Sequence, residues 1–490
     1  MIRNLSNDNS VLKIALPSRN AIFTYEPTDI HFAYEYLLLE NIYSSLVEMD
    51  INGNLVQGIA ERYFWGGDNL HLVIRKNLKT QSGAPITLND VVFSLKRLLV
   101  LSKNTHGNFK DLVCPGVEMK SINQDCPGIT TSDDTLILNA GNRKSFLLTM
   151  LAAIDFAVIP KAATDPVTLA IVDYRETSGL YYVNRTDENG QFELKINRNH
   201  YHAAADLAET VKMVPIDISK PNATLDAFER GDVDHLMTSN GAKTEDILKF
   251  AKDRTDVSIH ATQKIRKHML IFTDRGEREL SIAQRRWIGS QVREAVQTSA
   301  AKHPGYEPTE QFFPTAGDGS LSLEQLQYLK TIPATKVALP KVIRIGMIRS
   351  VDLESWGAAI RDRLPESVSY QEKHLPALHQ FTQDEEEPHA FIVSTDTGFM
   401  EDINLISYSI NAGFFGISKD SGQKWLADYM GLKDSESRLA ALRQLHFKSL
   451  ENAMAVPLIA SPYVAMIRSP WKIGLSELFA NNQLWLIRHP

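Results

Sequence analysis

Two pairs of ionisable residues have the types and spacing that come closest to catalytic or metal-binding chemistry. Asp232 and Asp234 are separated by one residue, and so are His200 and His202. Paired carboxylates can act as general acid and base, and imidazoles can ligate zinc. The aspartates have no neighbouring nucleophile or apolar pocket, and the histidines have no carboxylate or cysteine partner at ligand spacing. We therefore expect a solvated turn or a helix-end contact at the aspartates, surface histidines at 200 and 202, and no metal site.

Short motifs that mark common active sites are missing from the sequence. It contains no Gly-x-Ser-x-Gly nucleophile elbow, no Gly-x-x-x-x-Gly-Lys phosphate loop, no Gly-x-Gly-x-x-Gly dinucleotide loop and no His-Glu-x-x-His zinc motif. This absence favours a binding protein over an enzyme. It also predicts that no cofactor is required.

The two cysteines, Cys114 and Cys126, are each followed by Pro-Gly. Two cysteines are too few for a disulfide scaffold and lack the paired spacing of a zinc site. Their separation suits a loop closed by a disulfide in an oxidising compartment. Two unrelated buried thiols are equally compatible with the sequence.

The composition is that of a folded and mildly acidic protein. The chain has 490 residues, of which 43% are hydrophobic and 23% are charged. At roughly 150 residues per domain, this length predicts about three domains. The net charge of −7, from 52 basic and 59 acidic residues, supplies no overall attraction to nucleic acid or to an anionic membrane. We therefore expect no nucleic-acid partner.

Neither a membrane span nor a signal peptide is visible in the sequence. No window approaches the ~18 to 20 apolar residues that a membrane-spanning helix needs. The first ten residues lack the apolar segment of a secretory signal. The protein is then either cytoplasmic, or extracytoplasmic with its signal peptide removed.

Hydrophobic periodicity outlines the elements that would position these residues. Apolar residues at three- and four-residue steps predict a helix over residues 31–49, and Thr87 with Asp90 predicts the start of another. The segment 179–197 has the pattern of a hairpin that turns at 187–190. Strands and helices alternate through the second half. The sequence thus predicts α/β units preceded by a mixed α+β unit.

Ten short segments, in order along the chain, resemble landmarks of one known family. They are Glu40–Leu46, Asp50–Leu55, Gly58–Glu61, Leu72–Arg75, Gly83–Thr87, Asn89–Ser94, Ser178–Tyr181, Asn197–Tyr201, Leu225–Asp234 and Val292–Ala295. Together they resemble the extracytoplasmic solute-binding proteins of family 5. This is the oligopeptide, dipeptide and nickel-binding class that serves ABC transporters.

The resemblance implies a fold and its division into domains. It implies a two-lobed, periplasmic-binding-protein-like fold of type II, cluster C: an α/β fold with an α+β insertion as a third domain. The first lobe would be discontinuous and the second would follow a hinge. The implied parts are residues 1–46, 171–264 and 463–490 for the first lobe, 47–170 for the inserted domain and 265–462 for the second lobe.

The resemblance also implies ligand-binding residues. Oligopeptide-binding members pair an extended peptide with two short segments of their own backbone. By position, the residues expected to contact the ligand are His31, Phe32, Ala33, His106, Asn108, Thr395, Asp396, Thr397, Phe399 and Tyr463.

Phe399 departs from the family pattern. In the family an aspartate at this place receives the α-ammonium group of the peptide, and an unpaired ammonium in a closed cleft would cost several kcal/mol. Two interpretations remain open. Asp396 takes over this role, or Asp396 only caps a loop and the ligand has no free amine.

The function implied by the resemblance is that of a non-catalytic substrate-binding protein of an ABC importer. It would hold a peptide or similar extended solute in a cleft that closes by hinge motion, and would deliver it to a membrane permease. We expect a monomer in the periplasm or at the cell surface. The alternative is a cytoplasmic ligand-sensing domain of a regulatory protein with the same fold.

Overall fold

The computed structural model describes most of the chain. Described are residues 11–18, 21–22, 24–30, 33–101, 107–139, 141, 146–218, 220, 222–238, 242–348, 356–366, 368–375, 388–399, 401–432, 434–480 and 483–490. Within them no helix is both long enough and apolar enough to cross a membrane.

The strands in these ranges are numbered β1 to β21 in chain order. They are Val11–Leu16, Val47–Met49, Leu55–Gln57, Ala60–Gly66, Asn69–Ile74, Ile129–Ser132, Thr135–Asn139, Tyr181–Thr186, Phe192–Ile196, Thr210–Pro215, His235–Met237, Val257–Ala261, Arg266–Phe272, Glu307–Pro308, Val342–Ile348, Ser369–Leu375, Ala390–Asp396, Ala455–Ser461, Val464–Arg468, Lys472–Ile473 and Ile487–Arg488.

The α-helices in the same ranges are numbered α1 to α13. They are Ala33–Ile42, Leu88–Leu101, Gly107–Val113, Leu147–Ala152, Ala223–Arg230, Thr244–Ala251, Asp274–Glu279, Ile282–Ala300, Leu323–Thr331, Trp356–Arg361, Ile403–Asn411, Lys419–Met430 and Ser435–Glu451.

A seven-stranded sheet forms the centre of the first lobe. Its order is β12-β19-β11-β1-β10-β9-β8, so it combines strands from the beginning, the middle and the end of the chain. β1 pairs in parallel with β10 and β11, and the other pairs are antiparallel. Alternate residues of β1, such as Leu12 and Ile14, are buried with Tyr181 and Met213 in one apolar core. This sheet is therefore built from segments that are far apart in the sequence.

A six-stranded sheet forms the centre of the second lobe, in the order β14-β18-β13-β17-β15-β16. Helix α8 packs on β18. Ser281 and Gln284 form a reciprocal capping box at its N-terminus. A Cβ atom on Gly289 would lie 2.6 Å from a methyl carbon of Val456, so glycine is required for this close approach of helix and strand.

The inserted domain lies between α1 and β8 and contains a four-stranded antiparallel sheet, β4-β5-β7-β6. Cys114 and Cys126 form a disulfide there, with their Cα atoms 5.0 Å apart. Gly128, which follows the second Cys-Pro pair, donates its backbone N–H to the carbonyl oxygen of Val113 at 2.8 Å. A Cβ atom on Gly128 would lie 2.3 Å from that oxygen, so the loop can close only with glycine.

An ion pair between a buried arginine and a partly buried glutamate joins the inserted domain to the first lobe. Arg97 of α2 is 1% exposed and donates from both terminal nitrogens to the carboxylate of Glu26. Its Nε donates to the carbonyl oxygen of Leu169 at 2.7 Å. Tyr25, next to Glu26, stacks on Tyr174 with ring centroids 4.2 Å apart. These contacts fix the loop that precedes α1.

Two short connections link the two large sheets and run side by side. One leads from β12 to β13 and the other from β18 to β19. The backbone N–H of Thr262 donates to the carbonyl oxygen of Tyr463 at 2.9 Å. The backbone N–H of Tyr463 donates to Oγ1 of Thr262 at 2.8 Å. The connections therefore form one hydrogen-bonded pair at the junction of the lobes.

The helix predicted over residues 31–49 is too long. In the structure α1 ends at Ile42, and residues 47–49 form β2. The backbone N–H of Gly179 donates to the carbonyl oxygen of Ile42 at 3.0 Å, and that of Ile59 donates to Ser45 at 3.0 Å. These long-range hydrogen bonds use carbonyl groups that a continuing helix would need, so tertiary pairing overrides the helical periodicity.

Candidate functional site

Five of the described candidate residues lie where β17 ends beside the two connections: Thr395, Asp396, Thr397, Phe399 and Tyr463. Asp396 is the last residue of β17 and lies opposite Arg266, the first residue of β13. On its other side Arg266 lies opposite Ser461, the last residue of β18. The junction of the lobes therefore begins at this row of three residues.

Asp396 and Arg266 form a bidentate ion pair. Nε of Arg266 lies 2.8 Å from Oδ1 of Asp396, and Nη2 lies 3.0 Å from Oδ2. The side chains are 14% exposed for Arg266 and 30% exposed for Asp396. Two parallel N–H···O bonds of this kind are the strongest geometry for an arginine and a carboxylate. Both oxygens of Asp396 therefore already have a cationic partner.

Tyr463 of the first lobe lies against the guanidinium group of Arg266, and Tyr34 lies within its electrostatic reach. Its central carbon lies 5.4 Å from the ring centroid of Tyr463, within cation–π range. Burial raises the pKa of Tyr34 in the first turn of α1, and the positive charge of Arg266 opposes that rise. Residues of both lobes thus meet around one guanidinium group.

Tyr463 is buried, and its hydroxyl contacts the sulfur of Met237. Its ring supports Arg266 from the first lobe. Thr397 is also fully buried. Its hydroxyl donates to the carbonyl oxygen of Ile265 at 2.9 Å, which fixes the end of β17 to the connection. Both side chains are directed into the protein, a positioning role that the sequence resemblance did not imply.

The segment after Thr397 approaches the first lobe. A Cβ atom on Gly398 would lie 3.8 Å from the carbonyl oxygen of Leu478 and 3.9 Å from Cβ of Phe479. Phe399 is half-buried, and its carbonyl oxygen accepts a hydrogen bond from the backbone N–H of Asp318 at 2.7 Å. The backbone of Phe399 is therefore held within the second lobe at the edge of the junction.

Some candidate residues fall outside the described part of the chain. His31, Phe32 and His106 are among these. Ala33 is the first residue of α1, and Asn108 lies in α3. Thr395 precedes Asp396 in β17, lies opposite Lys267 and is half-buried.

Tyr36 of α1, which sequence reasoning did not include, lies within electrostatic reach of Asp402 in the segment that follows Phe399. Burial raises the pKa of Tyr36 well above the usual value, and the charges of Asp155, Glu40 and Asp402 raise it further. These carboxylates belong to the inserted domain, α1 and the segment before α11, respectively. The signal available in the sequence was the position of Tyr34 and Tyr36 directly after the predicted contact segment 31–33.

The inserted domain also contacts the second lobe directly. Phe146 is buried, and its ring stacks on Tyr429 of α12 with centroids 5.6 Å apart. The guanidinium carbon of Arg438 lies 5.0 Å from the same ring. Glu401 binds Arg438 at 3.1 Å and accepts a hydrogen bond from the hydroxyl of Tyr429. The Phe146 pocket, formed by Tyr429, Arg438 and Glu401, thus joins these two domains.

The prediction of surface histidines at 200 and 202 is wrong. His200 is buried, and burial, followed by the charges of His202 and Arg75, lowers its pKa well below the usual value. Its Nε2 lies 2.9 Å from Oγ of Ser44, and Nε2 of His202 lies 2.7 Å from a carboxylate oxygen of Glu48. Long-range contacts between the first lobe and the inserted domain, invisible in local sequence, bury this turn.

The two aspartates form the expected turn after α5. The side chain of Asp232 pairs with Arg230 at 2.8 Å on the surface. Asp234 accepts a hydrogen bond from the backbone N–H of Lys13 at 3.1 Å, and burial raises its pKa. In the described ranges, no group of three or more His, Cys, Asp or Glu side chains could hold a metal ion.

Comparison with known proteins identifies the class to which this fold and junction belong. Residues 54–298, half of the chain, match the family model described as bacterial extracellular solute-binding proteins, family 5, middle. The chain belongs to this family, as its sequence landmarks predicted. Its members are non-enzymatic binding proteins that work with ABC importers and bind peptides or similar solutes. No curated protein sequence matches the chain.

Three solved structures illustrate the shared two-lobed fold. The Escherichia coli murein tripeptide binding protein MppA has a TM-score of 0.74 and 16% identity, with 98% of each chain covered. Haemophilus influenzae OppA, in complex with RPPGFSPFR, has a TM-score of 0.74 and 14% identity, with 99% of each chain covered. AgaA of A. tumefacien R10, in complex with agropinic acid, has a TM-score of 0.76 and 16% identity, covering 98% of this chain and 99% of AgaA. The two-lobed fold predicted from the sequence is confirmed.

Proposed function

We propose that this chain captures a peptide or a similarly extended solute between its two lobes and delivers it to the permease of an ABC importer. The observation that carries the proposal is the pair of hydrogen-bonded connections beside the Arg266–Asp396 pair. Two strands crossing between lobes side by side form a hinge, because few backbone torsions need to change for the lobes to rotate. A ligand that contacts both lobes would favour the closed arrangement.

The solute class is supported by the relatives and by the chemistry of the junction. MppA is described as a murein tripeptide binding protein and OppA was solved with a nonapeptide, whereas AgaA was solved with agropinic acid. The same fold therefore accommodates peptides in two of these proteins and agropinic acid in the third. In this chain the segment 395–399 and, by resemblance, residues 31–33 are the contacts that we propose for such a ligand.

The disulfide supports an extracytoplasmic location. Cys114 and Cys126 are both buried and are bonded to each other. Structural disulfides persist in oxidising compartments and are rare in the cytosol. This favours a periplasmic or cell-surface binding protein over the cytoplasmic sensor. An in-frame signal peptide in the gene would exclude the sensor, and a fused helix-turn-helix domain would favour it.

Identification of the bound solute tests the proposal most directly. The purified protein is denatured, and the released small molecules are identified by mass spectrometry. Thermal shifts are then recorded against pools of free peptides, N-acetylated peptides and non-peptide solutes. We expect one solute class to raise the melting temperature and to co-purify with the protein. The absence of any released solute and of any shift across all pools would refute the proposal.

Two finer points of the proposal have their own measurements. Small-angle scattering with and without the identified solute should show a smaller radius of gyration when the solute is bound, because the lobes close. Light scattering after size exclusion should give the mass of one chain, since we propose a monomer. An unchanged radius would argue against hinge closure, and a doubled mass would argue against the monomer.

A further inference from the structure

The Arg266–Asp396 pair lies three residues before Phe399, the position where the resemblance puts the family's amine-binding aspartate, and Asp396 is the carboxylate that could replace that aspartate. The pair is built into the sheet, because antiparallel register sets the two residues directly opposite each other. Side chains opposite each other on neighbouring strands lie close enough for direct contact. The guanidinium group meets the carboxylate through two nitrogens, at 2.8 and 3.0 Å.

The surroundings of the pair favour its persistence. The ring of Tyr463 lies against the guanidinium group, and Tyr34 of α1 is within its electrostatic reach. His268 lies two residues along β13 and hydrogen-bonds to Ser394 at 2.7 Å. Burial, reinforced by the charge of Arg266 and opposed by that of Asp396, lowers the pKa of His268 to about 3. His268 is therefore neutral at pH 7, and Arg266 supplies the positive charge that faces Asp396.

An incoming ammonium group would have to compete with Arg266 for the same two oxygens. Displacing Arg266 would leave a guanidinium group, largely shielded from water, without its bidentate partner, which is unfavourable. Sharing the carboxylate would place two cations around one negative charge. A neutral or anionic ligand group requires neither change.

We propose that the Arg266–Asp396 pair is a specificity determinant that selects against solutes presenting a free α-ammonium group at this end of the cleft. The preferred solute class is extended, with an acylated or otherwise uncharged or anionic end. This inference rests on the proposed function, since it assigns the chemistry of the same cleft.

Binding of two matched peptide pools tests the selection. The pools contain the same tetrapeptides, with free and with N-acetylated amino termini, and affinity is measured by titration calorimetry. Wild-type protein should bind the acetylated pool about tenfold more tightly, the usual scale for one hydrogen bond to a charged group. Arg266→Gln releases the carboxylate and should remove or reverse this preference. Arg266→Lys keeps a cation beside Asp396 and should retain it.

Two further variants distinguish an effect of the Arg266–Asp396 pair from the general effect of removing a charged side chain. Asp396→Asn should strengthen the preference for the acetylated pool, because it leaves the guanidinium group of Arg266 without its carboxylate partner when an ammonium group approaches. Arg185→Gln is the matched control: Arg185 also lies opposite its carboxylate partner, Glu193, across an antiparallel pair of strands, but in the first lobe. Arg185→Gln should change the affinity for neither peptide pool. Tighter binding of free amines by wild-type protein, lost in Asp396→Asn, would overturn the inference.

A measurement that needs no ligand distinguishes a failure of this inference from a failure of the proposed function. Carbodiimide with glycinamide labels accessible carboxylates, and the rate at Asp396 is followed by mass spectrometry. We expect slow labelling of wild-type protein and at least tenfold faster labelling of folded Arg266→Gln. Equal rates would overturn the inference, as would a co-purified solute with a free α-amine that protects Asp396 from labelling. Slow labelling without binding of any solute would refute the proposed function and leave the charge pairing intact.

Discussion

Truncation of Phe146 should weaken closure of the protein around its ligand. Phe146 belongs to the inserted domain, yet its ring is buried against Tyr429 and Arg438 of the second lobe. One continuous cluster of buried apolar side chains includes residues of the inserted domain and of α11 to α13. If hinge motion separates these domains, the contact exists only in the closed arrangement.

The expected magnitude follows from the burial of the ring. Replacing a buried phenylalanine by alanine costs about 3–5 kcal/mol when all contacts lie in one core. The ring of Phe146 is shared between two domains, so we assign roughly half of this cost, about 1.5–2.5 kcal/mol, to the contact with the second lobe. At 1.4 kcal/mol per factor of ten, Phe146→Ala should weaken ligand binding by roughly ten- to sixtyfold.

Measurement of the distance between two spin labels tests directly whether Phe146 stabilises the closed arrangement. Labels at Glu61→Cys in the inserted domain and Asp420→Cys in the second lobe occupy exposed positions, and the native cysteines are bonded to each other. Phe146→Ala should shift the distance distribution towards the open form. Phe109→Ala is the matched control, since Phe109 packs on Phe156 within the inserted domain at 4.9 Å.

The reasoning predicts different results for the two truncations. Phe109→Ala should lower the urea midpoint of unfolding with little effect on the label distance. If Phe146→Ala also lowers only the stability against urea and leaves distance and affinity unchanged, the inserted domain and the second lobe move together. The Phe146 pocket would then be an ordinary core contact, and the argument would be refuted.

Three further changes have expected outcomes set by the structure. Replacing Cys114 and Cys126 by serine should lower the free energy of unfolding by about 3 kcal/mol, the loop-closure value for this spacing, as measured by urea titration with the reduced wild type for comparison. Arg97→Gln should destabilise the protein by about 3–5 kcal/mol, because it leaves Glu26 without its buried partner. The double variant Arg97→Gln with Glu26→Gln should recover part of this loss. If the losses of the two single variants simply add in the double variant, the pairing is contradicted. Burial lowers the pKa of His446 from its usual value of 6.5 to about 4. The free energy of unfolding therefore keeps the full contribution of the neutral imidazole above pH 6.5 and loses it as the pH falls towards 4. Between pH 7 and pH 5 the loss should be about 2 kcal/mol larger for wild type than for His446→Gln, and equal losses would assign the pH dependence to other groups.

Local sequence predicted the elements that end at local signals. The hairpin over 179–197 appears as β8 and β9, and the helix start predicted from Thr87 and Asp90 appears as α2, which begins at Leu88. The helix from 31 was extended too far, because hydrogen bonds from Gly179 and Ile59 end it at long range. His200 was misplaced on the surface for the same reason, since residues far along the chain bury it.

The sequence indicated where to look for a candidate site but not the chemistry of that place. The family landmarks directed attention to the segment 395–399 and to Tyr463, and the structure places both at the junction of the lobes. Nothing near Asp396 in the sequence indicates Arg266, which is 130 positions away and becomes its partner only through the pairing of β13 with β17. The open choice between an amine-binding carboxylate and a structural one depends on that partner.

The sequence by itself therefore determined the family, the two-lobed architecture and the absence of familiar catalytic motifs. These properties depend on ordered local signals: turn residues, hydrophobic periods and caps, each of which acts over a few residues. Tertiary structure alone decided which charges are paired, which histidines are buried and which side chains join the domains. Those outcomes depend on contacts between residues brought together by sheet register and domain packing, and a local pattern carries no information about such partners.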